Sequence, residues 1–535
     1  MRHGRVAAMP RPALVRYGGL AGSLLLAVAA YRSGAGWPWH PTMTPRTILA
    51  GESGVLAPIC WLLGTAGMIA AWWCGRTAIP SARWAYVTAA LWVVPLLPLL
   101  PLGSYDIYSY ACQGWQQSAG LDPYSGGVDA LGCPWRDAVA PTWLDSAAPY
   151  GPVFVVLAAA AAKLGGSLAG TIAALRIVSL LGVALTAACL PVLARHAGVP
   201  LSRAVWLALA CPLVAVHLIS GGHNDAVMVG LVVAGLAAES AGLAALGGSR
   251  LRPAEMPHRP QRLQTPQPPR PARHLTGGAC GLAGLAALGG SRPRPAEMPH
   301  RPQRRLGVLV GAGVLLGLAA GVKVTAVVVL PFAVVMAVPP GSPLRALWRP
   351  AAALAGGAVA AVAAVSVAAG LGLGWIAGLT GSGASVQWTS PPTAVGMTVD
   401  LIGSAFGAHW NAVPVTRALG VAGLAAVLAA LWWRSRRGNP LLGAGLALAA
   451  TVVLSPVFHP WYATWPLAVL AATLPRDTLW LVAPCALAAA LCLPDGYNLA
   501  LAVKSQGAIA MTAFVVVMAV LAVRRRARER QKVAP

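Results

Sequence analysis

The chain has 535 residues, 57% of them hydrophobic and only 10% charged. An ordinary soluble domain is about 25% charged, so this composition excludes a water-soluble globular protein and points to a chain immersed in lipid. Lys and Arg total 39 against 14 Asp and Glu, but no aromatic–basic module accompanies the excess; no nucleic-acid partner is expected, and basic residues collected on the cytoplasmic side of a membrane account for the charge.

In chain order, apolar runs fall near 12–31, 55–74, 84–102, 170–194, 204–220 and 225–246, then 306–321, 323–338, 350–373, 416–433, 440–457, 462–474, 478–493 and 506–523. A helix needs roughly twenty residues to cross a ~30 Å hydrocarbon core, so the runs predict an all-α, multi-pass transmembrane bundle of about fourteen spans (about 12–14). The run 153–164 is too short to cross and reads as a re-entrant or interfacial helix. Arg2, Arg5, Arg11 and Arg16 precede the first run as in a signal peptide; with so many spans following, an uncleaved first helix is expected. With both termini cytoplasmic, 31 of the 39 basic residues fall inside, as the positive-inside rule requires. Nine of the 14 acids then fall outside, and acids do little to set orientation, so function at the outer face is the natural explanation for them.

The expected layout is an N-terminal membrane part (1–246) with an extracytoplasmic loop at 103–152, an insertion at 247–305, a C-terminal membrane part (306–523) and a basic tail (524–535). The segment at 241–262 recurs at 283–304 with one difference, Leu251 against Pro293. Such identity marks a tandem duplication rather than a solenoid. Eleven Arg against two Glu, among many prolines, predict a disordered cytoplasmic loop at 247–305. It reads either as a tolerated passenger or as a contact for anionic lipid headgroups.

Five segments with chemically useful residues end on one side of this drawing: SYDIYSYACQG with LDPY, PTW and APYGP in loop 103–152; SGGHNDAVMVG (Ser220–Gly230); GVKVT (Gly321–Thr325); WTSPPT (Trp388–Thr393); and SPVFHPWYATW (Ser455–Trp465). The sequence has no GxSxG, HExxH or P-loop, and its nine cysteines have no metal-ligand spacing; neither metal nor cofactor is expected. Aromatic rings stack on sugar faces, while Asp, Asn and His bind hydroxyls. A lipid-linked sugar phosphate also needs a cation at its phosphate and a carboxylate to deprotonate an acceptor hydroxyl. Asp106 suits the base role and Lys323 the phosphate role. Each assignment has a structural rival. Asp106 and the His223-Asn224-Asp225 run can cap the helices they precede, Asp122 can form a turn before Pro123, Lys323 can snorkel to the interface, and His459, Trp461 and Tyr462 can form an interfacial belt. Cys112 and Cys133 share the loop and are candidates for a disulfide if the loop is extracytoplasmic.

The order DIYSYACQG, LDPY, APYGP, GGHNDAVMVG, GVKVTA, SPVFHPWYATWP resembles the actinobacterial polyprenol-phosphate-mannose-dependent α-1,6-mannosyltransferases, multispanning glycosyltransferases of the GT-C class. The resemblance covers most of the chain outside the insertion and the tails. It implies transfer of mannose from a polyprenyl-phosphate donor to an α-1,6-mannan of lipomannan or lipoarabinomannan, at the outer face of the plasma membrane among membrane lipids. It places Asp106 as general base of an inverting single displacement without metal, and Lys323 at the donor phosphate. Asp122, Tyr124, Tyr150, His223, Asn224, Asp225, His459, Trp461 and Tyr462 would shape the sugar and acceptor sites. The insertion at 247–305 departs from the family pattern. The rival readings are a lipid-linked sugar flippase, which needs polar groups at mid-bilayer or related halves, and a GT-C transferase using another polyprenyl-phosphate sugar or another acceptor.

Overall fold

The computed structural model describes residues 11–247, 301–378, 385–474 and 479–533. Among these residues every regular element is helical, and the only extended pairing is an isolated bridge between Cys492 and Asn498. Lipid offers backbone groups no partners, and a helix satisfies them internally. Eight helices are long and apolar enough to cross a membrane: Pro12–Ser33, Leu56–Gly75, Leu168–Ala197, Asp225–Ala245, Gln303–Val322, Leu344–Ala368, Ala412–Ser435 and Leu499–Arg525. A ninth results if Leu201–Leu209 and Val214–Ser220, bent by 62°, form one span. The chain is a helical membrane protein.

The five remaining apolar runs are shorter or broken. The run at 84–102 gives the helix Ala82–Val93 and a 3-10 turn at Val94–Leu96, because Pro95, Pro98 and Pro101 remove the amide donors that would continue it. The run at 323–338 winds as a 3-10 segment, Val324–Val329, before Leu330–Met336. The last three give only Pro440–Leu454, Thr464–Thr473 and Leu479–Ala490. By length and composition among the described residues, eight helices, or nine with the bent pair, meet the requirement for a crossing, and the helices formed by these five runs do not meet it singly. The 153–164 run is a helix, Pro152–Gly165. Residues 248–300 of the insertion lie outside the described residues, but 301–305, counted with it from sequence, are the first turn of Arg301–Val322. The final helix, Lys504–Val533, runs on through the basic tail from Arg524.

Two features of the packing position the site. Trp206, on Leu201–Leu209, is fully buried between Trp84 and Trp92, with ring centroids 5.3 and 5.4 Å away. Its indole N–H donates to Trp72 O at 2.9 Å, and Trp72 returns the bond to Trp206 O at 3.3 Å, so two large side chains are buried with their polar atoms satisfied. The chain then turns at Val214–Ser220 in the wide π-type winding that recurs at functional sites. The second feature is the long loop after Gly103. Its helix Asp106–Ser118 is buried along most of its length against Pro152–Gly165, and a disulfide joins Cys112 to Cys133, closing a sequence separation of 21.

Closing a loop of this length stabilises it by about 3 kcal/mol. In detergent micelles, Cys112→Ser/Cys133→Ser is expected to speed tryptic cleavage after the exposed Arg136; an unchanged rate would show that helix packing alone holds the loop.

Candidate active site

Segments remote in sequence bring their polar groups to a common centre. Asp106 opens the helix Asp106–Ser118, yet its carboxylate does not cap it: the Asp106 amide donates to Ser104 Oγ at 3.0 Å, and Tyr105 stands at the cap position. The carboxylate makes other contacts. Oδ1 accepts the Trp143 indole N–H at 3.0 Å, and Oδ2 lies 3.9 Å from His223 Nδ1. With 14% of the side chain exposed, burial pushes the Asp106 pKa up to about 6, while the Trp143 bond and the Lys323 charge hold it from rising further.

His223 is completely buried, and burial, reinforced by His217, Lys323 and His459, drives its pKa well below the ordinary histidine range. The Asp106–His223 contact therefore pairs a carboxylate with a neutral ring. That ring stacks on Trp461 at 4.0 Å between centroids, and Trp461 stacks on His459 at 4.7 Å with only 6° between planes. The Tyr110 hydroxyl sits 3.3 Å from His223 Nδ1. Burial lowers the His459 pKa to about 3, so it too is neutral.

Beside this stack lies a buried ion pair. Lys323 Nζ donates to Asp225 Oδ1 at 2.9 Å, and the same oxygen accepts Trp465 Nε1 at 2.6 Å. The ammonium also lies over the rings of Tyr462, at 4.3 Å, and Trp465, at 5.1 Å, where the ring quadrupoles attract it. Asp225 begins its helix, but its side chain, like that of Asn224, makes no capping bond. Asp225 Oδ2, His223 Nε2 and both polar atoms of the Asn224 side chain are buried without a hydrogen-bond partner among the described residues.

Two further motifs, APYGP and WTSPPT, serve as supports. Gly151 packs on the backbone just before Lys323: its amide donates to Val322 O at 3.2 Å, and a Cβ there would lie 2.2 Å from Gly321 O. Hydroxyls of the 388–393 segment brace the 455–459 loop, with Ser390 donating to Ser455 O at 2.7 Å, Thr393 to Pro456 O at 2.6 Å and Thr389 to Phe458 O at 3.2 Å.

A cavity of about 390 Å³ opens over Asp106, walled by Trp39, Trp143, His459, Trp461, Gln387 and Asn498. Asp495 also lines it and is tied to the Met43 amide at 2.6 Å; burial raises its pKa to about 6. Past Lys323, an apolar groove of about 440 Å³ runs between Gln303–Val322 and Leu344–Ala368, floored by Gly317, Ala320, Gly321 and Ala358 and reaching Val324.

Of the residues singled out from sequence, Asp106, His223, Asn224, Asp225, Lys323, His459, Trp461 and Tyr462 cluster here. Tyr150 joins through its edge-on contact with Tyr110, at 5.2 Å. Asp122 and Tyr124 stand apart. The exposed Asp122 carboxylate accepts the Tyr124 amide at 2.9 Å, forming the turn, and the Tyr124 hydroxyl donates to Tyr150 O at 2.9 Å from a separate small core. Sequence reasoning did not assign Trp465, Tyr110, Trp143 or Asp495. Trp465 follows Trp461 by one helical turn and Tyr110 follows Asp106 likewise, a spacing that could have flagged both. Trp143, in the PTW motif, ends a three-residue 3-10 turn and Asp495 lies in a loop, and no periodicity links either to Asp106.

A family model described as alpha-(1->6)-mannopyranosyltransferase, N-terminal domain, matches residues 16–339, and one described as MptB C-terminal domain matches residues 392–523. An alpha-(1->6)-mannopyranosyltransferase of Mycobacterium tuberculosis is 33% identical over 392 residues, covering 71% of this chain and 64% of the relative. Alpha-(1->6)-mannopyranosyltransferase A of the same organism is 29% identical over 475 residues, covering 85% of this chain and 79% of the relative. A probable alpha-(1->6)-mannopyranosyltransferase of Mycolicibacterium smegmatis is 30% identical over 471 residues, covering 85% and 78%. No solved structure matches the chain. Matched by the N-terminal model over more than half its length, and by these relatives across most of the rest, the chain belongs to the alpha-(1->6)-mannopyranosyltransferase family and is a membrane-embedded glycosyltransferase.

Proposed function

We propose that the protein transfers mannose from polyprenyl-phosphate mannose to an α-1,6-mannan chain of a lipomannan- or lipoarabinomannan-type lipoglycan. The reaction takes place at the outer face of the plasma membrane, in a bundle of the GT-C kind. The observation that carries the reading is an adjacency: a polar, aromatic-walled cavity holding a carboxylate, then a buried ammonium, then a groove with an almost wholly apolar lining. Acceptor sugar, donor phosphate and isoprenoid chain need surfaces of those three kinds in that sequence. In the fourteen-span drawing, the collection of basic residues on the inner side supports this orientation.

In this mechanism Asp106 takes the proton from the acceptor hydroxyl as its oxygen attacks C1 of the mannose. The bond from C1 to the phosphate oxygen breaks, and its electron pair leaves with the phosphate, whose charge Lys323 offsets. A β-linked donor then gives an α-linked product in one displacement. The Trp461 and His459 rings, which line the cavity, supply stacking faces for the sugar, and His223 backs Trp461 from the buried side. Membranes carrying the protein, given radiolabelled polyprenyl-phosphate mannose and a short α-1,6-mannoside, are expected to yield labelled, elongated mannoside. Label that crosses the bilayer unreacted would instead identify a flippase.

Asp106→Asn removes the base and is expected to lower kcat by about 10²–10⁴-fold, with membrane insertion unchanged; near-normal turnover would remove Asp106 from the mechanism. The base works only when ionised, so kcat/KM is expected to rise with pH through about 6 and level off above it. Trp143→Phe deletes a bond that favours the ionised form and should move that midpoint to higher pH. A stationary or lowered midpoint would mean that another group titrates.

Lys323→Met leaves Asp225 buried without its counter-charge and is expected to cost about 3–5 kcal/mol of stability. Adding Asp225→Asn should recover most of that loss, seen in thermal unfolding, but not the turnover. Recovered turnover in the double variant would confine Lys323 to a structural role.

A further inference from the structure

The helix Leu168–Ala197 contributes nothing to the ion pair or to the Asp106 cavity, yet it grips both segments that carry the site. Arg176, only 7% exposed, lies within this candidate span, where ionisable side chains are rare and costly. Its partners are carbonyls rather than a carboxylate: Nε–H donates to Ser220 O and Nη1–H to Leu97 O, both at 2.9 Å. One turn along the same face, Ser179 Oγ donates to His223 O at 3.4 Å. A further turn on, Gly182 presses against the helix that Asp225 begins, where a Cβ would fall 2.5 Å from the carbonyl carbon of Ala226. Residues three apart share a helix face, so one face of this helix follows the His223–Asp225 segment along its length.

The two carbonyls belong to different arms of the site. Leu97 lies on the chain leading through Ser104 to Asp106; Ser220 closes the π-type turn and leads through Gly221 and Gly222 to His223 and Asp225. The same arms are tied a second time, by the Leu102 amide donating to Ser220 Oγ at 3.3 Å. They also meet at Gly222, held at φ +64°, where a Cβ would lie 2.4 Å from Ile107 Cδ1. The distance these ties set is that between Asp106 and His223. Capping a single helix end needs one donor, which an amide or an ammonium supplies. A planar guanidinium holds two acceptors in a fixed relation, and a buried cation without a carboxylate partner is a poor choice for stability alone.

We infer that Arg176 is a positioning residue for the glycosyl transfer proposed above, on which this role rests: it fixes the Asp106 arm against the His223–Asp225 arm without touching substrate. The test compares full-length wild type, Arg176→Lys, Arg176→Gln and Ser220→Ala in lipid nanodiscs, using the labelled-donor assay. Because misplacement by about 1 Å costs on the order of 10²-fold, kcat per folded molecule should fall about 100-fold in Arg176→Gln and about tenfold in Arg176→Lys. Ser220→Ala, which cuts only the second tie, should show a loss of a few-fold. Both KM values should stay within about twofold of wild type, a split that loss of folded protein alone does not produce. Unchanged kcat in Arg176→Gln, or a loss explained wholly by less folded protein, overturns the role. If Arg176→Gln does not fold, Ser220→Ala decides, and wild-type kcat in that variant overturns it. A wild-type protein that elongates no mannoside sinks the functional reading first, and the role of Arg176 with it.

Discussion

An ammonium and a carboxylate held 2.9 Å apart away from water are the constraint around which this site is organised. Asp225 is fully buried and the Lys323 side chain is 14% exposed. Desolvating two charges costs several kcal/mol each, and only close partners and further hydrogen bonds offset that. The second bond comes from Trp465, and the rings of Tyr462 and Trp465 face the ammonium. Asp225 and Lys323 lie in the region matched by the N-terminal family model and Trp465 in that matched by the C-terminal one. The pair is therefore satisfied only when both regions are packed together.

The pair also divides the labour between two acids. Asp225 is committed to Lys323. Asp106 has one indole donor, a neutral imidazole nearby and an opening onto the cavity. Burial raises its pKa to about 6, which leaves it ionised near neutrality yet more basic than a carboxylate in water. Two carboxylates in neighbouring but unlike environments, one fixed as a counter-ion and one able to accept a proton, are a recurrent basis for acid–base assignment. In the proposed reaction that difference separates holding a phosphate from activating a hydroxyl.

Much of the supporting structure consists of backbone and small side chains doing what larger groups cannot. Ser104 satisfies the Asp106 amide at the start of the helix, while the Asp106 carboxylate faces Trp143 and the cavity. Gly151 lets the loop rest directly on the Gly321–Val322 backbone that leads to Lys323. The hydroxyls of Thr389, Ser390 and Thr393 hold the carbonyls of the loop that presents His459 and Trp461. These contacts give the aromatic stack a rigid base, and preorganisation of that kind is what a displacement reaction requires of a binding site.

The apolar runs by themselves determined a helical membrane protein, because continuous runs of roughly twenty apolar residues satisfy their backbone in lipid by winding as helices. The polar motifs between the runs likewise marked Asp106, the His223–Asp225 run, Lys323 and His459–Tyr462, since ionisable groups at a membrane boundary need a reason to be there. What hydropathy could not show is where a helix stops: Pro95 shortens one run, and the 3-10 winding after Lys323 breaks another. Sequence assigned Asp106 the base role and offered Asp122 a turn before Pro123, but it could not say what either carboxylate touches. Tertiary structure decided that Asp122 turns the chain and Asp106 opens onto a cavity, and that Lys323 meets Asp225 and Trp465. A carboxylate's role depends on which donors and charges lie within a few ångströms of it, and residues as remote in sequence as Asp225 and Trp465 acquire those distances only when the helices pack.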